Sequence, residues 1–263
     1  MKKITLLLAF VSLACSLMAQ DGDFKKFRFG VNASPVFSWM GSNNPDVKAG
    51  GFTMGVNLAL SGELYFAENY AFTMGLGYKL NTGGKITYEK KAGIYLKDSD
   101  LSEELQADLL GTSRLAAGAY FIGSGDSSRT MAKGVAISRR VNWMSIPIGF
   151  KMRTNELGDS FIRGFAHLPL FGIDIATRAR ADVKTGTGEY KKEIIYRDIF
   201  PINLTVGGGA GIEYYPNDKD LSFIAGIYYN AGLIDFTKND KDVNGKGVKG
   251  VVSDITLRLG VNF

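Results

Sequence analysis

The only histidine, His167, is the first candidate for catalysis, because histidine is the side chain that titrates near neutral pH without help. It could serve a Ser-His-Asp or Cys-His arrangement, but no nucleophile motif accompanies it. The only cysteine, Cys15, lies in a segment that we expect to be removed on export. One histidine and no remaining thiol also make a zinc site improbable. We therefore expect no catalytic residue, no metal and no cofactor, and predict that His167 is an ordinary wall or rim residue.

Two glycine-containing motifs resemble ligand-binding loops only in part. The run Asp240-Lys241-Asp242-Val243-Asn244-Gly245 matches the first half of a calcium loop, but Val251 occupies the twelfth position, where a bidentate glutamate is needed. The glycines between Gly207 and Gly211 lack the spacing of a phosphate-binding loop. We expect a solvated hairpin tip in the first case. In the second, the glycines let strands and interior side chains pack closely.

The elements that must position any site are strands, because apolar and polar residues alternate over long stretches. In 251–263, Leu257 and Leu259 fall on one parity and Arg258 on the other. Successive side chains of a strand point to opposite faces, so this strand has one apolar and one charged face. Seven earlier segments repeat the pattern, namely 26–40, 52–66, 70–81, 143–153, 161–178, 199–215 and 221–235.

The connections between these segments alternate between long and short. The long ones are 41–51, 82–140, 180–197 and 236–250, and the tight turns are 67–69, 155–160 and 216–220. An even strand count with this asymmetry is typical of bacterial outer-membrane proteins, whereas a soluble sandwich would explain only the alternation. We therefore predict an all-β fold, an eight-stranded antiparallel transmembrane β-barrel with its apolar face toward lipid, long extracellular loops and short periplasmic turns.

Local features refine this strand map. Loop 82–140 lacks alternation, and within it Asp100 to Leu110 is predicted to form a short helix that begins with a capping box of Asp100 and Glu103. Prolines fall inside three predicted strands although a closed barrel has no free edge, which predicts bulges or rim positions. Aromatic residues near the strand ends, including Trp39, Trp143 and Tyr215, are predicted to form interfacial girdles.

The interior-facing charges are the most informative candidates. An eight-stranded barrel is only wide enough for side chains to fill it, and an unpaired charge in such an interior is costly. We expect a structural plug of ion pairs, with Arg28 and Glu63 able to meet across adjacent strands; a conducting or ligand-selective lumen is the alternative. The candidates are Lys26, Arg28, Glu63, Lys79, Lys151, Arg153, Glu213, Asp254 and Arg258.

The first residues indicate export. Lys2 and Lys3 precede an apolar core, and Leu17-Met18-Ala19 forms a plausible cleavage site, so residues 1–19 are predicted to be a signal peptide and 20–263 the barrel. Lipidation at Cys15 is the less favoured alternative, because Ser12 stands where an aliphatic residue is usual. The net charge of +5 is too small and dispersed to suggest nucleic acid.

Two segments carry a family resemblance. They are Asn142-Trp143-Met144-Ser145-Ile146-Pro147-Ile148-Gly149-Phe150-Lys151 and Gly207-Gly208-Gly209-Ala210-Gly211-Ile212-Glu213-Tyr214-Tyr215, supported by Ile227 to Leu233 and the terminal Phe263. With these the chain resembles the PorT-like outer-membrane β-barrel family, often called the porin family. The resemblance implies residence in the outer membrane and insertion by the barrel-assembly machinery. The insertion signal would be the final strand, with Leu257, Leu259, Gly260, Val261 and Phe263.

From these observations we expect an integral outer-membrane protein with a side-chain-filled lumen that acts through its extracellular loops. Loop 82–140 would contact another envelope protein or an external ligand. The alternatives are a narrow porin-like channel for small solutes and an accessory barrel of a protein-secretion system. A lipid-modifying enzyme is the least favoured hypothesis, since no catalytic constellation supports it.

Overall fold

The computed structural model describes residues 26–43, 45, 47–89, 92–93, 96, 100–110, 130–131, 134–158, 160–216, 221–238 and 249–263. The predicted signal peptide and the calcium-loop-like run 240–245 lie outside these residues. One α-helix, α1 (Glu103–Leu110), and a 3-10 turn (Tyr196–Asp198) accompany the strands. The strands are β1 (Phe27–Ser42), β2 (Val47–Ala49), β3 (Phe52–Ala67), β4 (Tyr70–Tyr88), β5 (Ala92–Gly93), β6 (Thr130–Met131), β7 (Ala136–Glu156), β8 (Ile162–Lys184), β9 (Glu189–Ile194), β10 (Ile202–Tyr214), β11 (Ser222–Gly232) and β12 (Gly250–Asn262).

Eight of these strands close into a ring. The order around the ring is β1, β3, β4, β7, β8, β10, β11 and β12, and β12 pairs back onto β1. Every pairing in the ring is antiparallel. The predicted eight-stranded antiparallel barrel is therefore confirmed. Short strands β2 and β9 extend the wall beside β4 and β8, and β5 pairs with β6.

In the half of the barrel near the tight turns, apolar side chains face outward and polar ones inward. On β3, Leu58 and Leu60 are about half exposed on the outside, at 52% and 46%, while Glu63 is 3% exposed inside. The same alternation holds on β12, where Leu259 is 55% and Asp254 only 5% exposed. Within the described part of the chain, no helix has the length and apolar character needed to cross a membrane.

Near the long loops the polarity reverses along three tall strands. Strands β4, β7 and β8 contain 19, 21 and 23 residues, about twice the 9 to 11 that cross a membrane. On β7, Lys151 faces inward in the lower part, whereas Trp143 and Val141 face inward and Arg140 outward in the upper part. The upper wall is thus organised like a water-soluble protein, with its apolar side chains inside.

This reversal corrects the predicted strand ends. The boundaries placed at Asn81 and Trp143 were wrong, because β4 continues to Tyr88 and β7 already begins at Ala136. Loop 82–140 therefore shrinks to the segment between these two strands. The alternation continues past the predicted boundaries, but there the polar side chains face outward and the apolar ones inward, because the outer surface contacts water instead of lipid.

Each of the three strand prolines lies at a gap in the ladder. Pro35 pairs with Val56 on β3 but has no partner on β12, where the pairing skips from Ala33 to Val36. Pro147 falls in a similar gap of the β4–β7 ladder. Beside Pro169, both ladders of β8 shift register. Because proline has no backbone N–H to donate, the closed sheet tolerates it only at such interruptions.

Candidate functional site

The lumen near the tight turns contains a buried ion network, here called the basal cluster: Arg28, Glu63, Lys151 and Glu213. Lys151 Nζ donates to both oxygens of Glu63, at 2.8 and 2.9 Å, and also binds Glu213 Oε1. These three side chains are at most 4% exposed. One ammonium therefore bridges two carboxylates contributed by opposite walls, β3 and β10.

Tyrosine hydroxyls complete the basal cluster. Tyr65 donates to Glu63 at 2.7 Å, and Tyr215 donates to Glu213 at 2.7 Å. Arg28 Nη1 donates to the Tyr215 hydroxyl at 2.7 Å and lies 3.9 Å from Glu213 Oε2. The carboxylates thus keep most of the hydrogen bonds that water would supply, which is the condition for burying charge.

Two details of the predicted pairing need correction. Arg28 and Glu63 are direct partners in the β1–β3 register, as expected, but their side chains take the different partners described above. Arg153 was expected to form an ion pair. Instead it donates to the backbone carbonyl of Glu68 and to the Tyr215 hydroxyl, and it stacks 4.2 Å from the centre of the Tyr65 ring. The Arg153 guanidinium at the barrel rim therefore binds a backbone oxygen, a hydroxyl and an aromatic face in place of a carboxylate.

An aromatic layer crosses the lumen above the basal cluster. His167 Nδ1 and the Tyr228 hydroxyl lie 2.7 Å apart, and Phe165 packs against both rings. Arg258 stacks 4.0 Å from the centre of the Tyr228 ring and donates to its hydroxyl at 3.3 Å. Within the described residues Arg258 makes no ion pair, so the pairing predicted for it was wrong. A Cβ atom added to Gly209 would lie 2.3 Å from Tyr228 Cδ1, so this glycine makes room for the ring.

A second ion cluster, the upper cluster, consists of Lys79, Asp174 and Asp254. Lys79 Nζ lies 3.1 Å from Asp174 Oδ2 and 3.7 Å from Asp254 Oδ2. Asn230 donates to Asp254 at 2.7 Å. Asp174 was not among the predicted interior charges, because the register shift beside Pro169 changes which alternate residues face the lumen. Counting from the C-terminal side of that shift places Asp174 inside.

Above the upper cluster the lumen is closed by an apolar plug. Its members are buried side chains from the tall strands, from the loops and from α1. Leu105 of α1 is fully buried in it, and Trp143 is 2% exposed. The plug comprises Met40, Val47, Ile86, Tyr88, Leu96, Leu101, Leu105, Val135, Ile137, Val141, Trp143, Ala176, Ala179, Ala181, Val183, Ile195, Ile199, Phe236 and Val252.

Helix α1 is held on the plug by polar contacts to the β8–β9 hairpin. Glu193 accepts hydrogen bonds from the backbone N–H and the hydroxyl of Ser102, both at 2.7 Å. Ser102 in turn caps the helix by accepting the N–H of Leu105 at 3.4 Å, so the predicted cap at Asp100 was wrong. Desolvation raises the pKa of Asp108, but hydrogen bonds from Thr185 and Thr187 more than offset it and hold that pKa below its usual value.

Little space is left inside the barrel. A cavity of about 50 Å³ remains in the lumen between the basal and upper clusters, lined by residues such as Asn57, Ser145 and Thr205. That volume holds one or a few water molecules, not a continuous pore. Among the residues that the structure describes, no three histidine, cysteine or acidic side chains come together as metal ligands.

The remaining predicted residues lie at the rims and on the lipid face. Lys26 is partly exposed beside β1, and its carbonyl accepts the N–H of Tyr65. On β12, Leu259 faces outward, as does Phe263 just beyond the strand, while Leu257 and Val261 are half-buried and Gly260 lies beside Asn32. Two predicted girdle residues were wrong, because Trp143 faces the plug and Tyr215 the basal cluster.

The chain matches the outer membrane protein beta-barrel domain family over residues 18–238. The filled, closed ring and this match define an integral β-barrel protein of the outer membrane. The chain belongs to that family. No curated protein matches it.

Several solved structures are similar in outline. They include Neisserial surface protein A (13% identity, 89% of this chain and 95% of that chain covered, TM-score 0.42). Ail, the attachment invasion locus protein of Yersinia pestis, is 12% identical (90% and 99% covered, TM-score 0.36). OprG from Pseudomonas aeruginosa is 8% identical (90% and 94% covered, TM-score 0.40). These TM-scores are too low for the structures to assign a role to this chain.

Proposed function

We propose that this protein is a non-conducting outer-membrane barrel that acts through the segments above its long-loop end. The observation that carries the proposal is the filled lumen: the basal cluster, the aromatic layer, the upper cluster and the apolar plug close it in succession. The long-loop end would face the cell exterior, as in bacterial barrels generally. Residues 1–19 would direct export, and the final strand would be recognised by the barrel-assembly machinery.

Planar-bilayer recording tests the closed lumen. Purified protein should give no stepwise conductance, because the ion clusters and the apolar plug fill the lumen and the cavity between the clusters measures only about 50 Å³. A variant without residues 94–129 should also remain closed, since the basal and upper clusters stay in place. Regular conductance steps from the intact protein would instead support the alternative of a narrow channel for small solutes.

We assign the binding role to the segment between β4 and β7, which contains α1. Ser102, just before the helix, binds Glu193 of β9, and Asp108 of the helix binds Thr187 in the β8–β9 turn. A helix held this firmly can present a constant surface to an envelope protein or an external ligand. Cross-linking in native membranes should yield a partner that is lost when 94–129 is replaced by a short linker between β5 and β6. Deletion of 241–247 in another long loop is the matched control and should keep the partner.

We also propose that the chain is a PorT-like member of its family, on the segments 142–151, 207–215 and 227–233 and on Phe263. A role as accessory barrel in protein secretion follows from that resemblance alone. It would be tested by measuring secretion in a deletion strain complemented with the full chain. We propose no enzymatic activity, because His167, 3% exposed, is enclosed by the aromatic layer.

A further inference from the structure

A basic patch lies on the outer face of the barrel, just above the lipid-facing band. It contains Arg140 on β7, Arg178 and Arg180 on β8, and Lys192 on β9. The four side chains surround a concave space of about 160 Å³, in which Asp182 is the lining carboxylate. Cations from three neighbouring strands therefore converge on one small surface.

Most of the charge in this patch is not neutralised. Asp182 binds Arg140 Nη2 at 2.6 Å and accepts the backbone N–H of Lys192 at 2.9 Å, so it holds two members of the patch in place. Within the described part of the chain, the structure gives Arg178, Arg180 and Lys192 no ion pair. Four cations and one carboxylate leave three positive charges around the concavity, which favours an anionic ligand.

The backbone of the patch lies just above the headgroup layer, within reach of its long side chains. Arg140 lies four residues beyond Met144, and Arg178 three residues beyond Ile175, the last apolar side chains on the outer face of their strands below the patch. At about 3.3 Å per residue on tilted strands, the cations begin roughly 7 to 10 Å above the hydrocarbon. The headgroup layer is about 5 to 7 Å thick, and arginine side chains are long enough to reach down into it.

A tyrosine marks the same boundary. The hydroxyl of Tyr78 lies 2.9 Å from Thr177 Oγ1, directly below the patch, while its ring is part of the exposed apolar face. Tyrosine in this position is typical of a membrane interface. The wall formed by β10 and β11 differs, because its upper outward residues include the exposed apolar Ile202 and Leu233. The basic patch thus belongs to one sector of the barrel and is not a uniform belt.

We propose that this patch binds the phosphate groups of a lipid headgroup in the outer leaflet. Guanidinium groups bind phosphate through paired hydrogen bonds, and two arginines on one strand supply them from the same side. Met144 and Ile175 belong to the apolar outer face below the patch, so a lipid with acyl chains would contact both surfaces, whereas a free anion would contact the patch alone. The inference rests on the orientation proposed above, with the long-loop end outward.

Selectivity for an anionic phospholipid over a zwitterionic one measures this binding without reference to orientation. The intact protein is placed in phosphatidylcholine nanodiscs with a trace of lipid carrying a spin label on its acyl chain, either phosphatidic acid or phosphatidylcholine. Electron paramagnetic resonance then gives the motionally restricted fraction of each. Wild type should prefer phosphatidic acid. The variant R178A/R180A should lose roughly 25-fold in that preference, from about fivefold for each cation near the surface.

The matched control removes the same charge elsewhere. Lys184 and Lys249 are exposed outside the patch. Lys184 lies about 13 Å further along β8 than Arg180, beyond a Debye length, and Lys249 precedes β12 on the opposite side of the ring. K184A/K249A should keep the preference, and R178K/R180K should keep much of it. A heat-modifiable gel shift confirms that each variant is folded.

Other outcomes overturn the proposal. An equal loss in K184A/K249A would show general electrostatic attraction without a site. Displacement of the labelled lipid by inorganic phosphate at constant ionic strength would show a free-anion site. No preference in folded wild type would show that the patch binds no lipid headgroup, and it would leave the closed lumen and the loop function untouched.

Discussion

Replacement of Lys151 by methionine tests the central claim that the lumen is held together by buried charge. Methionine keeps most of the side-chain length but removes the ammonium that bridges Glu63 and Glu213. Glu63, 4% exposed, would then have no cation partner, and Glu213 would keep only Arg28, 3.9 Å away. The variant should fold, because the ring of paired strands is unchanged, but the free energy of unfolding should fall.

Two estimates give the size of this loss. Removing one partner of a buried ion pair typically costs about 3 to 5 kcal/mol. The unpaired glutamate could instead be neutralised by protonation. At pH 7 this costs about 3.7 kcal/mol, since the pKa of glutamate in water is about 4.3. We therefore expect a loss of about 4 kcal/mol. Urea unfolding in lipid vesicles, followed by the heat-modifiable gel shift, measures it.

Two variants separate charge from packing. Arg163→Met breaks the ion pair with Glu156 at the rim, where Glu156 is 44% exposed, and should cost less than about 1 kcal/mol. Adding E63Q to the Lys151 variant should recover most of the loss, because Glu213 keeps its ion pair with Arg28 and no charge is left unpaired. If Lys151→Met cost no more than Arg163→Met, water would reach the basal cluster and the argument for a sealed lumen would be refuted.

Three further predictions concern packing and the cap. Gly209→Ala should cost about 1 to 3 kcal/mol in the same unfolding assay, because its Cβ would clash with the Tyr228 ring. Gly41→Ala, which meets nothing within 4 Å, is the control, and equal losses would contradict the close packing. Glu193→Ala should speed hydrogen exchange of the α1 amides by at least about tenfold, since it removes two hydrogen bonds to a charged acceptor. Unchanged exchange would mean that the plug alone holds the helix. Finally, the pKa of Asp108 is lowered in the folded state, so its contribution to the stability of the α1 contact is present at neutral pH. That contribution is lost as the pH falls through the lowered pKa, below about 3.8. Amide hydrogen exchange of α1 in Asp108→Asn should lack this pH dependence.

The sequence predicts the ring well because its main signal is local. Lipid on one side and a narrow lumen on the other force strict alternation, and alternation can be counted without knowing the strand partners. The lumen charges at Lys79, Lys151, Glu63 and Glu213 follow from the same count. Their actual partners do not, because Lys151 meets carboxylates from two different strands. The strand order and tilt that bring them together are properties of the closed barrel.

Three further features could not be predicted, each for a different physical reason. The upper halves of β4, β7 and β8 were taken for loops, because a single polarity rule cannot follow a strand from lipid into water. Asp174 was overlooked because the bulge beside Pro169 shifts the count by one residue. The position of α1 depends on hydrogen bonds to Glu193, which lies in a hairpin far along the chain, and no local sequence pattern around Ser102 predicts that contact.

The reversal of polarity along β7 and β8 means that one half of the same wall contacts lipid and the other half contacts water. The embedded half is stabilised because its backbone groups cannot form hydrogen bonds with hydrocarbon and therefore keep those between strands. The projecting half is stabilised by burial of its apolar side chains away from water. Urea weakens the second of these forces. The projecting part of the wall should therefore loosen at lower urea concentration than the ring beneath it, which would stay closed in the bilayer.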